Sequence, residues 1–210
     1  WQRVTGAQLD WSQHTITLPC TAGGVFAIGG RSRLGWRRTF NGSLLSSPAA
    51  ARIDQQGRLA IILDTRDPDR VVYCLDGQGN TLWTYEAGAM QPFPTVADLD
   101  QDGLDEVIIA GAKLVVLQHD GTVRWQAELP LTASAVAGNL IGDAAPEIVA
   151  VAGNGQVTAF SGDGQELFRS QTGPRCQIPV LTDLDGDGML EIVVAGEKGV
   201  AAFSGQGRLL

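Results

Sequence analysis

The most informative stretch of the chain reads Asp183-Leu184-Asp185-Gly186-Asp187-Gly188-Met189-Leu190-Glu191, followed directly by the apolar run Ile192-Val193-Val194-Ala195. Nearly the same pattern occurs earlier, as Asp98-Leu99-Asp100-Gln101-Asp102-Gly103-Leu104-Asp105-Glu106 before Val107-Ile108-Ile109-Ala110. Carboxylates occupy positions 1, 3, 5 and 9 of both loops, and glycine occupies position 6. Two copies with the same four carboxylates indicate a repeated structural unit rather than a chance acidic turn.

Both loops have the composition of a site for a small hard cation. Oxygen ligands at alternate positions can wrap one ion, the glycine permits the tight turn, and the carbonyl of residue 7 can add a further oxygen. An all-oxygen set favours Ca²⁺ over zinc or copper. We therefore predict two calcium sites, formed by Asp98, Asp100, Asp102, Leu104 and Glu106, and by Asp183, Asp185, Asp187, Met189 and Glu191. The alternative is a pair of acidic hairpins that hold no metal.

The flanking sequence excludes an EF-hand. An EF-hand has a bidentate Glu at position 12 and a helix on each side of the loop. Position 12 here is Ile109 or Val194, inside a β-branched run that is typical of a strand. The loops are therefore predicted to connect two strands, with structural rather than catalytic ions.

The Asp-x-Asp-x-Asp-Gly-x-x-Glu loop followed by Ile-Val-Val resembles the FG-GAP or VCBS repeat. This repeat is the unit of integrin α-subunit-like β-propellers, in which the loop joins the first two strands of a blade and holds calcium. The resemblance implies a recognition module, with cell adhesion and extracellular assembly as common roles. Calcium loops of low expected affinity favour an extracellular or periplasmic setting, where calcium is plentiful. The resemblance covers most of the chain as repeats, although only two copies carry the complete ligand set.

Strand-length apolar runs separated by turn signals recur along the whole chain, and each group of four predicts one propeller blade. We expect an all-β, single-domain, five-bladed β-propeller over residues 1–210. The predicted four-stranded blades cover residues 5–42, 43–88, 89–129, 130–173, and 174–210 together with 1–4.

An aromatic residue opens the last strand of four predicted blades: Trp36, Trp83, Trp125 and Phe168. The fifth blade stops at Leu210, where the aromatic should follow, and the chain starts with Trp1. The N-terminal strand is therefore predicted to pair in the last blade and close the ring, which removes the unpaired edges. We expect the tryptophans to pack between blades; a carbohydrate platform is the alternative.

The Leu-Trp ending after a glycine-rich turn, as in Thr81-Leu82-Trp83, also resembles quinoprotein-like (PQQ-type) propeller repeats. No quinone-binding constellation accompanies it, so it is interpreted as a feature that propeller blades share.

Two further loops depart from the metal-binding pattern. The loop at 139–147 offers Asn139, Ile141, Asp143 and Glu147, and Ile141 has no oxygen ligand to give. In the loop at 52–60, Arg52 is predicted to sit where the ion would lie and to pair with Asp54. Neither loop is expected to bind calcium well.

The net charge is −8, which argues against a general nucleic-acid binder. Residues 1–70 nevertheless contain nine Arg and five Asp, a net of +4. A cluster of Arg31, Arg33, Arg37 and Arg38 is either a patch for an acidic partner or a solvated strand face. No apolar stretch of about 18 residues predicts membrane insertion, and the three cysteines are interpreted as small buried apolar residues.

The sequence therefore predicts a non-enzymatic, calcium-stabilised propeller that recognises a protein or a glycan outside the cytoplasm. The alternatives are a polysaccharide-acting enzyme and a purely structural module of a larger secreted protein. An enzyme is disfavoured because the chain offers only two Lys, two Tyr and two His as catalytic groups.

Overall fold

The computed structural model describes residues 8–10, 15–17, 36–44, 47–88, 94–129, 135–143, 145–174, 178–197 and 199–210. The chain divides into two compact units, residues 1–35 and residues 36–210, which are described separately. All regular structure in the described residues is β-strand. The strands are β1 (Gln8–Asp10), β2 (Thr15–Thr17), β3 (Ala49–Arg52), β4 (Leu59–Asp64), β5 (Val71–Leu75), β6 (Thr81–Glu86), β7 (Thr95–Ala97), β8 (Glu106–Ala110), β9 (Leu114–Leu117), β10 (Val123–Ala127), β11 (Val136–Gly138), β12 (Glu147–Val151), β13 (Gln156–Phe160), β14 (Glu166–Gln171), β15 (Val180–Thr182), β16 (Glu191–Gly196) and β17 (Gly199–Phe203).

Each sheet is an antiparallel meander of consecutive strands. In the unit at 1–35, β1 pairs with β2, and Leu9 lies opposite Ile16. In the unit at 36–210, β3–β6, β7–β10 and β11–β14 form four-stranded sheets, and β15–β17 form a three-stranded sheet. An isolated bridge between Phe203 and Leu209 begins a fourth strand on the last sheet.

Consecutive sheets of the larger unit pack face to face. Their first strands β3, β7, β11 and β15 are neighbours in that order, and the Thr95 hydroxyl donates to the Ala135 carbonyl across one such junction (2.6 Å). This is the blade arrangement of a β-propeller.

The core lies between the sheets, which explains the sequence pattern of the second strands. In β8, Val107 and Ile109 pack toward β3–β6, whereas Ile108 packs toward β11–β14. All five residues of β8 are buried because both faces of the strand are covered. A strand covered on both faces needs a continuous apolar run rather than an alternating one. The outermost strand β6 does alternate between exposed and half-buried residues.

The prediction of an all-β chain is confirmed for the described residues, and three of their sheets have the predicted four strands. The number of blades, their bounds, the single domain at 1–210 and the closure by residues 1–4 stay predictions, because residues 1–7 and 18–35 lie outside the described residues. Trp36 was expected to open a strand, yet residues 36–44 contain none.

Candidate metal centre

In the unit at 36–210, three of the four loops that join the first two strands of a sheet share one backbone hydrogen bond, here called the clip; the loop at 52–60 has Ala60 at position 9 and lacks it. The carboxylate at position 9, on the first residue of the second strand, accepts a hydrogen bond from the backbone N–H of position 2. The pairs are Leu99 with Glu106 (2.8 Å), Leu140 with Glu147 (2.6 Å) and Leu184 with Glu191 (2.8 Å). These glutamates are 0%, 2% and 5% exposed. The acid at position 9 therefore holds the loop closed whether or not the other positions are acidic.

In the loop at 98–106, three of the four predicted carboxylates converge. Oxygens of Asp98, Asp100 and Glu106 lie within 4.8 Å of one another. Asp98 Oδ1 and Glu106 Oε1 are buried and have no hydrogen-bond partner among the described residues. Burial raises the pKa of Glu106 to about 7, against the opposing hydrogen bond from the Leu99 N–H. Buried carboxylate oxygens without a donor are the arrangement that a cation would satisfy.

Asp102 and Leu104, the remaining predicted ligands of this loop, are hydrogen-bonded to each other. Asp102 Oδ1 accepts from the Leu104 N–H (2.7 Å), and Asp102 is not among the converging oxygens. The Leu104 side chain is buried. Asp98 Oδ2 accepts from the Gly103 N–H (3.0 Å), where the glycine has φ +90°.

The loop at 183–191 repeats this geometry in a more open setting. Oxygens of Asp183, Asp185 and Glu191 lie within 4.8 Å of one another, and the aspartates are exposed. Asp183 accepts from the N–H groups of Gly186 (2.6 Å) and Gly188 (3.0 Å). Asp187 again stands apart from the converging group.

Asp187 Oδ1 accepts a hydrogen bond from the Met189 N–H (2.8 Å), as Asp102 Oδ1 does from the Leu104 N–H. The exposed Met189 side chain lies beside the loop at 139–147, where a Cβ added at Gly142 would be 3.8 Å from its Cε and 3.9 Å from its Sδ.

Arg124 distinguishes the first acidic loop from the second. Its guanidinium forms an ion pair with Asp100 and a second one with Asp163 (2.8 Å), which lies on the β13–β14 turn of the next sheet. The Arg124 side chain is 14% exposed, whereas Asp163 is 86% exposed. The hydrogen bond from Arg124 is the largest cause of the lowered pKa of Asp100. Sequence reasoning did not identify Arg124.

In the loop at 139–147, the amide side chain at position 1 makes both hydrogen bonds of the loop centre. Asn139 Nδ2 donates to the Asp143 carbonyl, and Asn139 Oδ1 accepts from the Gly142 N–H (2.7 Å). The side chain at position 1 thus bridges its own loop. Burial raises the pKa of Glu147, in the same direction as that of Glu106.

The predicted pairing of Arg52 with Asp54 is wrong. Arg52 Nη2 binds Asp105 of the next sheet's acidic loop (2.8 Å), and the Arg52 N–H also donates to Asp105 (2.6 Å). Asp54 instead pairs with Arg58 (2.6 Å). The buried carboxylate of Asp105 attracts Arg52 because the backbones of the two loops are already joined, with the Asp105 N–H donating to the Arg52 carbonyl (2.7 Å).

The predicted packing of the tryptophans between blades is confirmed for the described sheets. Trp83 Nε1 donates to the His119 carbonyl (2.9 Å), and Trp125 Nε1 donates to the Gly162 carbonyl (2.9 Å). Each ring covers a turn glycine of the next sheet. A Cβ added at Gly121 or Gly164 would lie 2.7 Å from the ring, and both glycines have positive φ. Phe168 covers Gly207 in the same way.

Two of the four clustered arginines, Arg31 and Arg33, lie outside the described residues. Arg37 is exposed. Arg38 donates to the Gly79 carbonyl (2.8 Å) and to the Thr81 hydroxyl (2.7 Å), and its guanidinium lies 5.0 Å from the centre of the Phe40 ring. Arg38 therefore contacts the turn of the β3–β6 sheet. Cys74 was predicted to be a small buried apolar residue, and it is buried. Burial raises the pKa of its thiol to about 12.

Comparison with known proteins assigns the chain to a class and then to a family. The fold and the tryptophan–glycine contacts are those of a repeat β-propeller. The sequence profile of the family PQQ_2, described as "Outer membrane protein assembly factor BamB", matches residues 20–175. The chain belongs to this family.

Solved structures and curated sequences show the same class. BamB from Moraxella catarrhalis has a TM-score of 0.59 at 19% identity, over 83% of this chain and 50% of that chain. BBS1N in complex with ARL6DN has a TM-score of 0.58 at 13% identity, over 80% of this chain and 55% of that chain. Mouse BBSome complex member BBS2 is 28% identical over 95 residues, which are 44% of this chain and 13% of BBS2. The chain thus spans half of BamB and a small part of BBS2.

The family assignment corrects the FG-GAP or VCBS resemblance and the cell-adhesion role that it implied. The matching family is BamB-like and PQQ-type, so the Leu-Trp endings carried family information that we had interpreted as common to all blades. Quinohemoprotein alcohol dehydrogenase from Comamonas testosteroni also shares the fold, with a TM-score of 0.53 at 10% identity over 80% of this chain and 34% of that chain. Among the described residues, no helix is long and apolar enough to cross a bilayer.

Proposed function

We propose that this protein is a β-propeller of the periplasm or outer membrane that binds a protein partner, and that Ca²⁺ in the loops at 98–106 and 183–191 stabilises it. The calcium proposal is based on two buried oxygens, Asp98 Oδ1 and Glu106 Oε1, that have no hydrogen-bond partner among the described residues. The family membership carries the binding part.

A protein partner is favoured over a glycan by the relatives. The family takes its description from an assembly factor, BBS1N was solved in complex with ARL6DN, and BBS2 is named as a complex member. The predicted glycan platform loses its basis, because Trp83 and Trp125 are engaged with the turns of neighbouring sheets. The family description and the oxygen-only loops both favour a compartment outside the cytoplasm, where Ca²⁺ is plentiful.

Binding is favoured over catalysis by the use of the acidic groups. In the part of the chain that the structure describes, the metal-capable clusters are the two acidic loops. Their carboxylates are held by the backbone of their own loops, as in a structural site. The shared fold with alcohol dehydrogenases does not decide the question, because one fold hosts many functions.

Asp98, Asp100 and Glu106 would hold one ion, and Asp183, Asp185 and Glu191 the other. The ion would supply the positive charge that each convergent set of oxygens lacks. Because it would bind only the folded state, each ion should add about 2.7 kcal/mol to the free energy of unfolding at a hundredfold excess over Kd.

Thermal unfolding in Ca²⁺ and in chelator tests the calcium part. We expect a Tm several degrees higher in Ca²⁺, with Mg²⁺ at the same ionic strength as the control. Equal Tm values in Ca²⁺ and chelator would contradict it.

Photo-crosslinking in the native host tests the partner part. A crosslinking residue replaces each of the exposed apolar residues Ile141, Leu184 and Met189 on the loops, or Leu82 and Leu167 on outer strands. We expect one discrete protein adduct at one of these two surfaces. The absence of any adduct at both surfaces would contradict a protein partner.

A further inference from the structure

We infer that Arg124 is a built-in competitor of the cation in the loop at 98–106, so that its guanidinium sets the Ca²⁺ affinity of this loop. The inference rests on the calcium binding proposed above and adds a residue that determines its strength. The positive charge of Arg124 contacts Asp100, one of the three converging ligands, and is itself mostly buried.

The repeat makes Arg124 the exceptional residue at its position. In each sheet this residue directly precedes the aromatic that covers the next turn, and it is Leu82 before Trp83, Leu167 before Phe168, and Arg124 before Trp125. In the last sheet the same position, three residues after the covered Gly207, is Leu210. Leucine is therefore the residue that this blade position accepts in the other three sheets, and the second acidic loop has no arginine at it.

The competition follows from charge and geometry. A guanidinium that pairs with one ligand oxygen satisfies part of the negative charge that would otherwise attract the ion, and it repels a divalent ion at the same carboxylate. The repulsion acts in a partly buried setting, where solvent and salt screen it less than at the surface. The second partner, Asp163, holds the guanidinium from the side of the next sheet (2.8 Å). The guanidinium is thus shared between Asp100 of the loop and Asp163 of the next sheet.

Isothermal titration of chelator-treated protein with CaCl₂ tests the inference at one site. Asp183→Asn together with Glu191→Gln disables the second loop, so the remaining heat reports the loop at 98–106. Arg124→Leu in this background should bind Ca²⁺ roughly tenfold more tightly, because the competing charge is gone. Arg169→Leu is the matched control, since it removes the same charge from an arginine that pairs with Glu166 and not with the loop.

Asp163→Asn supplies an independent variant at an exposed residue that does not endanger folding. It leaves the guanidinium to Asp100 alone, and Ca²⁺ affinity should fall by roughly twofold. Unchanged or weaker binding in Arg124→Leu would overturn the inference, because Arg124 would then position Asp100 rather than compete for it. Absence of binding heat in both the parent and Arg124→Leu would instead overturn the calcium proposal, and this inference with it.

Discussion

The loops at 98–106 and 139–147 occupy equivalent places in adjacent sheets and differ in the residue at position 1. Both are clipped by a buried glutamate that accepts from the backbone of position 2. In the first, position 1 is Asp98, which has a buried oxygen with no donor among the described residues. In the second, position 1 is Asn139, whose amide both donates and accepts within the loop.

The difference teaches that the backbone clip forms whether position 1 is a carboxylate or an amide. An amide at position 1 brings its own donor, so the loop at 139–147 is satisfied by its own side chains. A carboxylate at position 1 brings only acceptors, so the loop needs a positive charge from elsewhere. The equivalent glutamates are therefore expected to respond differently to the same substitution.

The largest effect is expected from replacing the clip glutamates by glutamine. Glutamine keeps the acceptor for the clip but removes the charge. In saturating Ca²⁺, Glu106→Gln and Glu191→Gln should each lose most of the roughly 2.7 kcal/mol that their ion contributes. Glu147→Gln, the matched control, should change the Tm by the same amount in Ca²⁺ and in chelator, because no ion is proposed at this residue. Thermal unfolding in both media checks this, and equal losses at all three sites would contradict the comparison.

The effect of Glu106→Gln on the free energy of unfolding should change sign or vanish when calcium is removed. The folded-state pKa of about 7 exceeds the ordinary 4.5, so the folded state binds this proton more tightly. In calcium-free protein, ionisation of Glu106 should therefore lower the free energy of unfolding as pH rises from about 4.5 to about 7. Glu106→Gln should be at least as stable as the parent in chelator at pH 8. A less stable variant under those conditions would contradict the buried-charge explanation.

An intermediate effect is expected from converting the amide-closed loop into an ion site. Asn139→Asp, Ile141→Asp and Ala144→Gly together install the residues that the acidic loops carry at positions 1, 3 and 6. We expect the titrated stoichiometry to rise from two Ca²⁺ ions to three. Ile141→Asp alone keeps the bridging amide and should leave the stoichiometry at two. A triple variant that still binds two ions would contradict the explanation that the amide at position 1 keeps Ca²⁺ out of this loop.

The smallest effect is expected in the loop at 52–60, where no ion is proposed. Arg58→Ala removes the pair with Asp54, a surface pair in which the arginine is exposed and the aspartate half-buried. Such pairs contribute little to stability because solvent screens them. We expect no resolvable change of Tm, and the same result in Ca²⁺ and chelator. A calcium-dependent shift would place an ion in this loop as well.

Strand positions were accessible from sequence because they depend on local patterns. The buried runs of β8 and β12, and the glycine turns before the last strands, fall where the pattern indicates. The family was mistaken because a nine-residue cation loop was given more weight than the Leu-Trp ending. That loop is a local feature, whereas the aromatic–glycine contact joins one sheet to the next and recurs at Gly121, Gly164 and Gly207.

The contacts of Arg52 and Arg124 were not accessible in the same way. Arg52 is two residues from Asp54 in sequence but binds Asp105 of the next sheet. Arg124 reaches Asp100 across its own sheet and Asp163 across the junction. The only sequence signal for Arg124 was its departure from the leucine at the equivalent positions, and that signal identifies an exception without giving its partner.

By itself, the sequence determined the all-β class, the repeated four-stranded units and the acidic loops, because strand propensity, turn chemistry and ligand spacing act over a few residues. Only the tertiary structure decided which carboxylates converge, which of their oxygens are buried without a donor among the described residues, and which arginine pairs with Asp100. Those properties depend on contacts between loops and between consecutive sheets. The charged residue that pairs with a given carboxylate can lie tens of positions away in the chain.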